Sequence, residues 1–132
     1  MPPVATGLTR PHSARRWRGR VWVDNRGYGE LGYVRDGVVE VVACLPGWTR
    51  GLRFNGDVAF VGSTRVLPRF CHYAPGLDVD RSVCGVHAVD IRSGRILGSL
   101  TWPLGDQLFA VDRVPSQRVS GLPFRTGLAR EN

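Results

Sequence analysis

The sequence predicts an all-β fold made of two four-stranded antiparallel sheets and one extra strand. Short apolar segments, rich in β-branched residues, alternate along the chain with turns that contain Gly or Asn. No window keeps the i, i+3, i+4, i+7 apolar spacing of a helix without an interrupting Gly or Pro. Two pairs of positions in similar local sequence are separated by the same offset. Gly51 follows Ser13 by 51 − 13 = 38 residues. Arg53 follows Arg15 by the same 53 − 15 = 38, and a period of about 40 residues built of short strands is typical of β-propeller blades.

The first predicted blade spans residues 10–45. Its strands are expected near 12–17, at 20–24, at 30–34 and at 38–45. Asp36-Gly37 predicts a two-residue hairpin, since both central residues of a type I′ turn need positive φ. Cys44 lies in the apolar run VVEVVACL, which predicts a thiol in the core.

The second predicted blade spans residues 48–102 and contains a loop insertion at 63–83. Its strands are expected at 49–54, 57–62, 85–91 and 95–102. Asn55-Gly56 is the strongest hairpin signal of the chain. The two blades therefore share one order of strands and turns, and they differ by one long loop.

The remaining residues flank a partial propeller predicted over 10–114. We expect a disordered tail at 1–9, an orphan strand at 106–114 and an irregular tail at 115–132. Propellers close with about four to eight blades, and each blade buries its faces against its neighbours. We therefore expect a fragment of a larger β-propeller, completed by missing N-terminal blades, by copies of itself or by a protein partner.

Several long motifs carry a resemblance to a known family. In order, they are RVWVDN, GELGYV, LPGWTRGL, GDVAFVG and CGVHAVDIRSG. From about Arg10 to Phe124, the chain resembles the C-terminal part of a bacterial propeller-like family described as a domain of unknown function (DUF4915). The resemblance implies a propeller with further blades before this point, which would complete the strand at 106–114. It implies no catalytic residues.

The charge of the chain permits an anionic partner. The formal net charge is +7, with 18 basic residues, all of them Arg, against 11 acidic ones. The densest cluster consists of Arg10, Arg15, Arg16, Arg18 and Arg20. It suits nucleic acid or another anion, whereas the alternative interpretation is a solvated surface that reflects GC-rich codon usage. No helix-turn-helix, zinc-finger or RNA-recognition pattern presents the cluster.

The sequence predicts a cytoplasmic protein without membrane contact. No apolar run approaches the roughly 20 residues that cross a bilayer, and the first residues lack the apolar stretch of a signal peptide. Three cysteines without a secretion signal also argue against a disulfide framework.

A ligand site is predicted where the inner strands meet the propeller channel. The candidate side chains are His12, Arg15, Arg50, Arg53, Gln107 and Asp112. Arg15 and Arg53 occupy equivalent repeat positions, so both are expected to point to one region. Guanidinium groups bind carboxylate or phosphate through paired hydrogen bonds. The alternative interpretation is that these arginines pair with acidic residues of adjacent blades.

No metal, cofactor or catalytic residue is predicted. Cys71, His72, Cys84 and His87 have the count of a zinc site. However, adjacent residues of an extended segment point to opposite sides, so Cys71 and His72 would need a bent loop to share an ion. No G-x-S-x-G elbow, Walker loop or G-x-G-x-x-G loop is present.

The predicted function is a non-catalytic binding or scaffold module of the propeller type, with a small anion as the candidate ligand. Two alternatives stay open. One is a fragment of a hydrolase or lactonase-type propeller enzyme with a channel metal. The other is a nucleic-acid or anion binder acting through Arg10–Arg20.

Overall fold

The computed structural model describes residues 5–8, 11–66, 77, 81–103 and 111–112, and almost all of these belong to strands or tight turns. The elements are β1 (Pro11–Trp17), β2 (Arg20–Asn25), a 3-10 turn (Arg26–Tyr28), β3 (Glu30–Arg35), β4 (Val38–Cys44), β5 (Trp48–Asn55), β6 (Val58–Thr64), β7 (Cys84–Asp90) and β8 (Ile96–Trp102). They form two four-stranded antiparallel sheets, ordered β1-β2-β3-β4 and β5-β6-β7-β8. The predicted all-β class with two such sheets is confirmed.

The hairpin turns follow from local backbone chemistry. Asp36 and Gly37 have φ of 50° and 78°, the left-handed pair that a type I′ turn needs. Gly56, which ends the predicted Asn-Gly turn, has φ of 59°. β6 continues through Thr64, two residues into the segment predicted as the insertion. Each strand pairs with the one that follows it in its own sheet, which gives both sheets a simple up-and-down order.

The repeat detected in the sequence corresponds to two equivalent bulges. The pairing register shifts between His12 and Arg15 in β1 and again between Thr49 and Leu52 in β5. Ser13 lies in the first bulge with φ of 53°, and the backbone N–H of Gly51 donates to its hydroxyl at 3.0 Å. The 38-residue offset therefore joins two positions that touch across the sheets.

The two sheets pack face to face through aromatic side chains. The ring of Trp17 stacks on Phe54 with centroids 5.4 Å apart, and its indole N–H donates to the carbonyl of Gly56 at 2.9 Å. Trp22 lies against the same Phe54 ring at 5.4 Å. Leu31 and Leu52, both fully buried, belong to the same core as Trp22 and Phe54.

One burial prediction is wrong, and some predicted segments fall outside the described residues. Cys44 is an exposed free thiol because successive side chains of a strand alternate, and Ala43 takes the inward position. Of the predicted orphan strand, the structure describes only 111–112, and of the tails only 5–8. Within the described residues, no helix has the length and apolar character needed to span a membrane.

Candidate functional site: an arginine cavity between the sheets

The predicted channel residues do not form a single group. Arg15, Arg53 and Asp112 line one cavity of about 260 Å³ together with Arg16, Trp17 and Phe54. His12 and Arg50 are not among the residues of that lining. Gln107 lies outside the described residues. We call this space the arginine cavity.

Arg15 and Arg53 lie at equivalent positions of the first strands of the two sheets. Arg15, just after the β1 bulge, donates from Nε to the carbonyl of Leu52 in β5 at 3.2 Å. Arg53 places its Nε 2.9 Å from an oxygen of Asp112. That contact is an ion pair, and the Nε atom of Arg53 is buried. The pairing of Arg53 with an acidic side chain matches the alternative interpretation given to these arginines.

The chemistry of the arginine cavity favours anions. Three arginines against one aspartate leave a formal lining charge of 3 − 1 = +2. Trp17 and Phe54 add a flat apolar wall, which their stacking fixes in place. A guanidinium can bind a carboxylate or phosphate through two parallel N–H groups. The cavity therefore offers both charge and shape to a small anion.

His12 and Arg50 meet elsewhere, beside the β1 bulge. Burial is the main cause that lowers the pKa of His12, and the charges of Arg50 and Arg26 lower it further. Its Nδ1 lies 2.8 Å from the hydroxyl of Ser13. His12 is therefore neutral at pH 7, and it is a poor anion ligand there.

His87 belongs to a buried hydrogen-bond chain that sequence reasoning missed. Its Nε2 and Nδ1 lie 2.7 Å from the hydroxyls of Ser63 and Ser99. Ser63 donates its own proton to the carbonyl of Val83, so it accepts from Nε2–H, and Nδ1 accepts from Ser99. Burial lowers the pKa of His87, which keeps the ring neutral. The chain locks β6, β7 and β8 together.

The four residues considered for zinc do not share a described site. Cys84 and His87 are three residues apart on β7, so their side chains point to opposite faces of the sheet. Cys71 and His72 lie outside the described residues. Within the described part of the chain, no three or more His, Cys, Asp or Glu residues lie together as metal ligands.

Asp24 is the most unusual polar residue that the sequence did not single out. It is 0% exposed, and neither carboxylate oxygen has a hydrogen-bond partner among the described residues. Burial raises the pKa of this carboxyl well above its usual value. Asp24 and His12 are cross-strand neighbours in the β1–β2 register. A single sequence offers no signal for such burial.

Internal contacts occupy much of the predicted basic cluster. Arg18 pairs with Asp57 at 3.1 Å, and Arg20 lies over the Tyr33 ring at 4.1 Å. Arg10 lies outside the described residues. Arg15 and Arg16 line the arginine cavity, whereas Arg18 and Arg20 do not, so the described part of the cluster is not one continuous basic surface.

Comparison with known proteins addresses the resemblance directly. The family model described as "Domain of unknown function (DUF4915)" matches residues 2–122. The chain belongs to this family. The family predicted from the motifs is thereby confirmed. No curated protein and no solved structure gave a match.

Membership of DUF4915 assigns no activity to the chain. Within the described residues, the packing of the two sheets brings together the side chains of the arginine cavity.

Proposed function

We propose that this DUF4915 chain is a propeller-type binding module, without catalysis of its own, that holds a small anion in the arginine cavity. The observation that carries the proposal is the convergence of Arg15 and Arg53, from equivalent strands, on one 260 Å³ space. Carboxylates and phosphates are the ligand classes that match two guanidinium groups beside an aromatic wall.

Three features support the propeller architecture within this proposal. The first strands of the two sheets, β1 and β5, lie side by side and carry equivalent bulges. Arg15 donates to the backbone of the neighbouring strand β5, and Arg53, at the equivalent position, forms an ion pair with Asp112. Phe60 takes in the second sheet the position of Trp22, since 60 − 22 = 38. Each contact is one that a repeated blade-to-blade packing would reproduce.

The outward face of the second sheet adds a fourth feature. Phe60, Val86 and Leu100 line a largely apolar space of about 730 Å³ together with Val111. Trp22, at the position equivalent to Phe60, is 1% exposed because the second sheet covers it. A further sheet packed on Phe60 would continue the same pattern.

The proposal includes a bacterial, cytoplasmic setting. Cys44 is an exposed free thiol, and a free thiol fits a reducing compartment.

Calorimetric titration with citrate and inorganic phosphate tests the anion site. We expect saturable binding that falls at least about tenfold in Arg15→Ala/Arg53→Ala, because one lost charge-assisted hydrogen bond costs about 1.5–3 kcal/mol. The matched control is Arg35→Ala/Arg95→Ala, which removes two exposed arginines outside the cavity. Equal binding by both double variants would eliminate the site.

A substitution of Asp112 is expected to have the opposite effect on anion affinity. Its carboxylate lies beside Arg53 and competes with any bound anion. Asp112→Asn is therefore expected to tighten citrate binding several-fold, and the gain should shrink at high salt. Weaker binding in Asp112→Asn would argue against an anion beside Arg53.

The described residues favour neither a channel-metal enzyme nor a nucleic-acid binder. The hydrolase or lactonase interpretation needs converging ligands for a channel metal, and the described residues include no such group. The nucleic-acid interpretation needs an open basic surface, but Arg18 and Arg20 are engaged with Asp57 and Tyr33.

A further inference from the structure

A second cavity lies at the hairpin end of the two sheets and shares no lining residue with the arginine cavity. Its volume is about 600 Å³, and both sheets contribute to its walls. The lining that matters here consists of Arg18, Arg20, Trp22, Tyr33, Asp57 and Arg92. We propose that this hairpin cavity binds a small molecule that joins a flat apolar body to a phosphate or carboxylate group.

One carboxylate organises the cationic side of the hairpin cavity. Asp57 lies 3.1 Å from Arg18 through one oxygen and 3.2 Å from Arg92 through the other. Arg18 belongs to the β1–β2 turn and Arg92 to the β7–β8 turn, so Asp57 joins guanidinium groups from the two sheets. With Arg20, the lining carries 3 − 1 = +2 formal charges. Each guanidinium has five N–H donors, more than Asp57 can accept.

The rest of the lining of the hairpin cavity includes aromatic and aliphatic side chains. Arg20 lies over the Tyr33 ring at 4.1 Å, and Tyr33 meets the buried Trp22 edge-on at 5.2 Å. The Tyr33 hydroxyl donates to the carboxylate of Glu40, which fixes the ring. Val41, 49% exposed, extends this apolar wall. Because Trp22 is 1% exposed and Arg20 covers one face of Tyr33, a flat apolar group would stack on the Arg20 guanidinium and lie against Val41. Its anion would then reach Arg18 and Arg92.

The walls are held in place before any ligand arrives. The N–H of Ile91 donates to the carbonyl of Asp57 at 2.9 Å, which ties two turns together. Gly94 approaches the first sheet so closely that a Cβ would overlap the carbonyl oxygen of Val42. A preformed site loses little conformational freedom on binding. A volume of about 600 Å³ lies within the usual range of small-molecule sites.

A probe that contains both a phosphate and a flat apolar ring tests whether the cavity recognises each group. Binding of 1-naphthyl phosphate is measured by its fluorescence, with inorganic phosphate and 1-naphthol as the separate halves. We expect naphthyl phosphate to bind at least about tenfold more tightly than either. Equal affinities for naphthyl phosphate and inorganic phosphate would overturn the role of the apolar wall.

Location is tested with matched double variants. Arg20→Gln/Arg92→Gln is expected to weaken naphthyl phosphate binding at least about tenfold. The matched control, Arg65→Gln/Arg81→Gln, removes the same charge outside the cavity and is expected to leave binding unchanged. Amide NMR signals of Ser93 and Gly94 should shift on binding. Signals that shift only at Phe60 and Val86, or binding lost only in Arg15→Ala/Arg53→Ala, would overturn the assignment. The last result would instead place the ligand in the arginine cavity, so the two proposals fail separately.

Discussion

Asp24 shows how strongly a single residue can govern the stability of this fold. A buried carboxyl without hydrogen bonds is costly when ionised, so burial raises the pKa of Asp24 well above its usual value in the folded protein. An unfolded Asp has a pKa of about 3.9. Because the folded pKa is higher, the folded state binds more protons between the two values. Stability is therefore lost as the pH rises through that window.

Asp24→Asn removes this cost and should stabilise the protein at neutral pH. We expect the variant to be more stable than the wild type by at least about 1 kcal/mol at pH 7, with a difference that shrinks as the pH falls towards 4. Thermal unfolding between pH 4 and 8 measures it. The control is Asp36→Asn, at an exposed turn position. Parallel curves for wild type and Asp24→Asn would show that the carboxyl does not titrate as its burial requires.

His87 gives the opposite slope on the acid side. Its folded pKa is lowered by burial, whereas an unfolded His titrates near 6.5. Below about pH 6.5, the unfolded chain takes up the proton first, so stability falls as the pH decreases towards the folded pKa. His87→Gln should lower stability by about 1–3 kcal/mol at pH 7 and should flatten this slope.

Chemical unfolding at pH 5 and pH 7 measures both the loss of stability in His87→Gln and the change in its pH dependence. His12, whose pKa is also lowered, contributes in the same direction, so the double variant with His12→Gln is expected to lose more of the slope. An unchanged slope in His87→Gln would contradict the assignment.

At the scale of elements, close backbone approach positions the turns. Gly94 and Gly56 are both in the left-handed region, with φ of 76° and 59°. Of these two glycines, only Gly94 has backbone close to the position of an added Cβ, because Gly56 has nothing within 4 Å. The β7–β8 turn is therefore pressed against β4, whereas the β5–β6 turn has open space beside its glycine.

The pair separates conformational strain from steric contact. Gly56→Ala should cost about 1 kcal/mol for its φ alone. Gly94→Ala should cost at least about 2 kcal/mol, since the turn must also move off Val42. Denaturant unfolding gives both values. If the two substitutions cost the same, the contact between the turn and β4 contributes nothing.

At the scale of the whole molecule, the aromatic interface should make the two sheets one cooperative unit. Trp17 of the first sheet stacks on Phe54 of the second and donates to Gly56. These contacts join the two sheets, whereas a contact within one sheet would stabilise that sheet alone. Loss of this side chain should therefore weaken both sheets and not its own alone.

Trp17→Leu is expected to reduce stability by about 2–4 kcal/mol and to lower amide exchange protection equally in β3 and β7. The control is Trp102→Leu, in a strand whose residues are all exposed, which should cost less than about 1 kcal/mol. Loss of protection in β3 alone would mean that the sheets unfold independently.

Local chemistry explains why much of the fold was predictable from the sequence. Alternation and the Asp-Gly and Asn-Gly pairs marked the strands and hairpins, since both act over a few residues. The 38-residue offset from Ser13 to Gly51 marked equivalent positions, and these proved to touch. The motifs also identified the DUF4915 family.

The candidate site was predictable only in part. Arg15 and Arg53 share one cavity with Asp112, as their equivalent positions suggested. The sequence did not distinguish them from His12 and Arg50, because a bulge decides on which side a residue emerges. The pairing of Arg92 with Asp57 joins residues from two turns, and no local pattern marks it.

By itself, the sequence determined the all-β class, the positions of the strands and the family, because these depend on patterns within short stretches of chain. Only the tertiary structure decided that Asp24 is buried, that Cys44 faces outward and that the arginines divide between two cavities. Burial and charge pairing arise where one sheet packs on the other. They depend on register and on contacts between residues far apart in the chain, which spacing along the sequence does not encode.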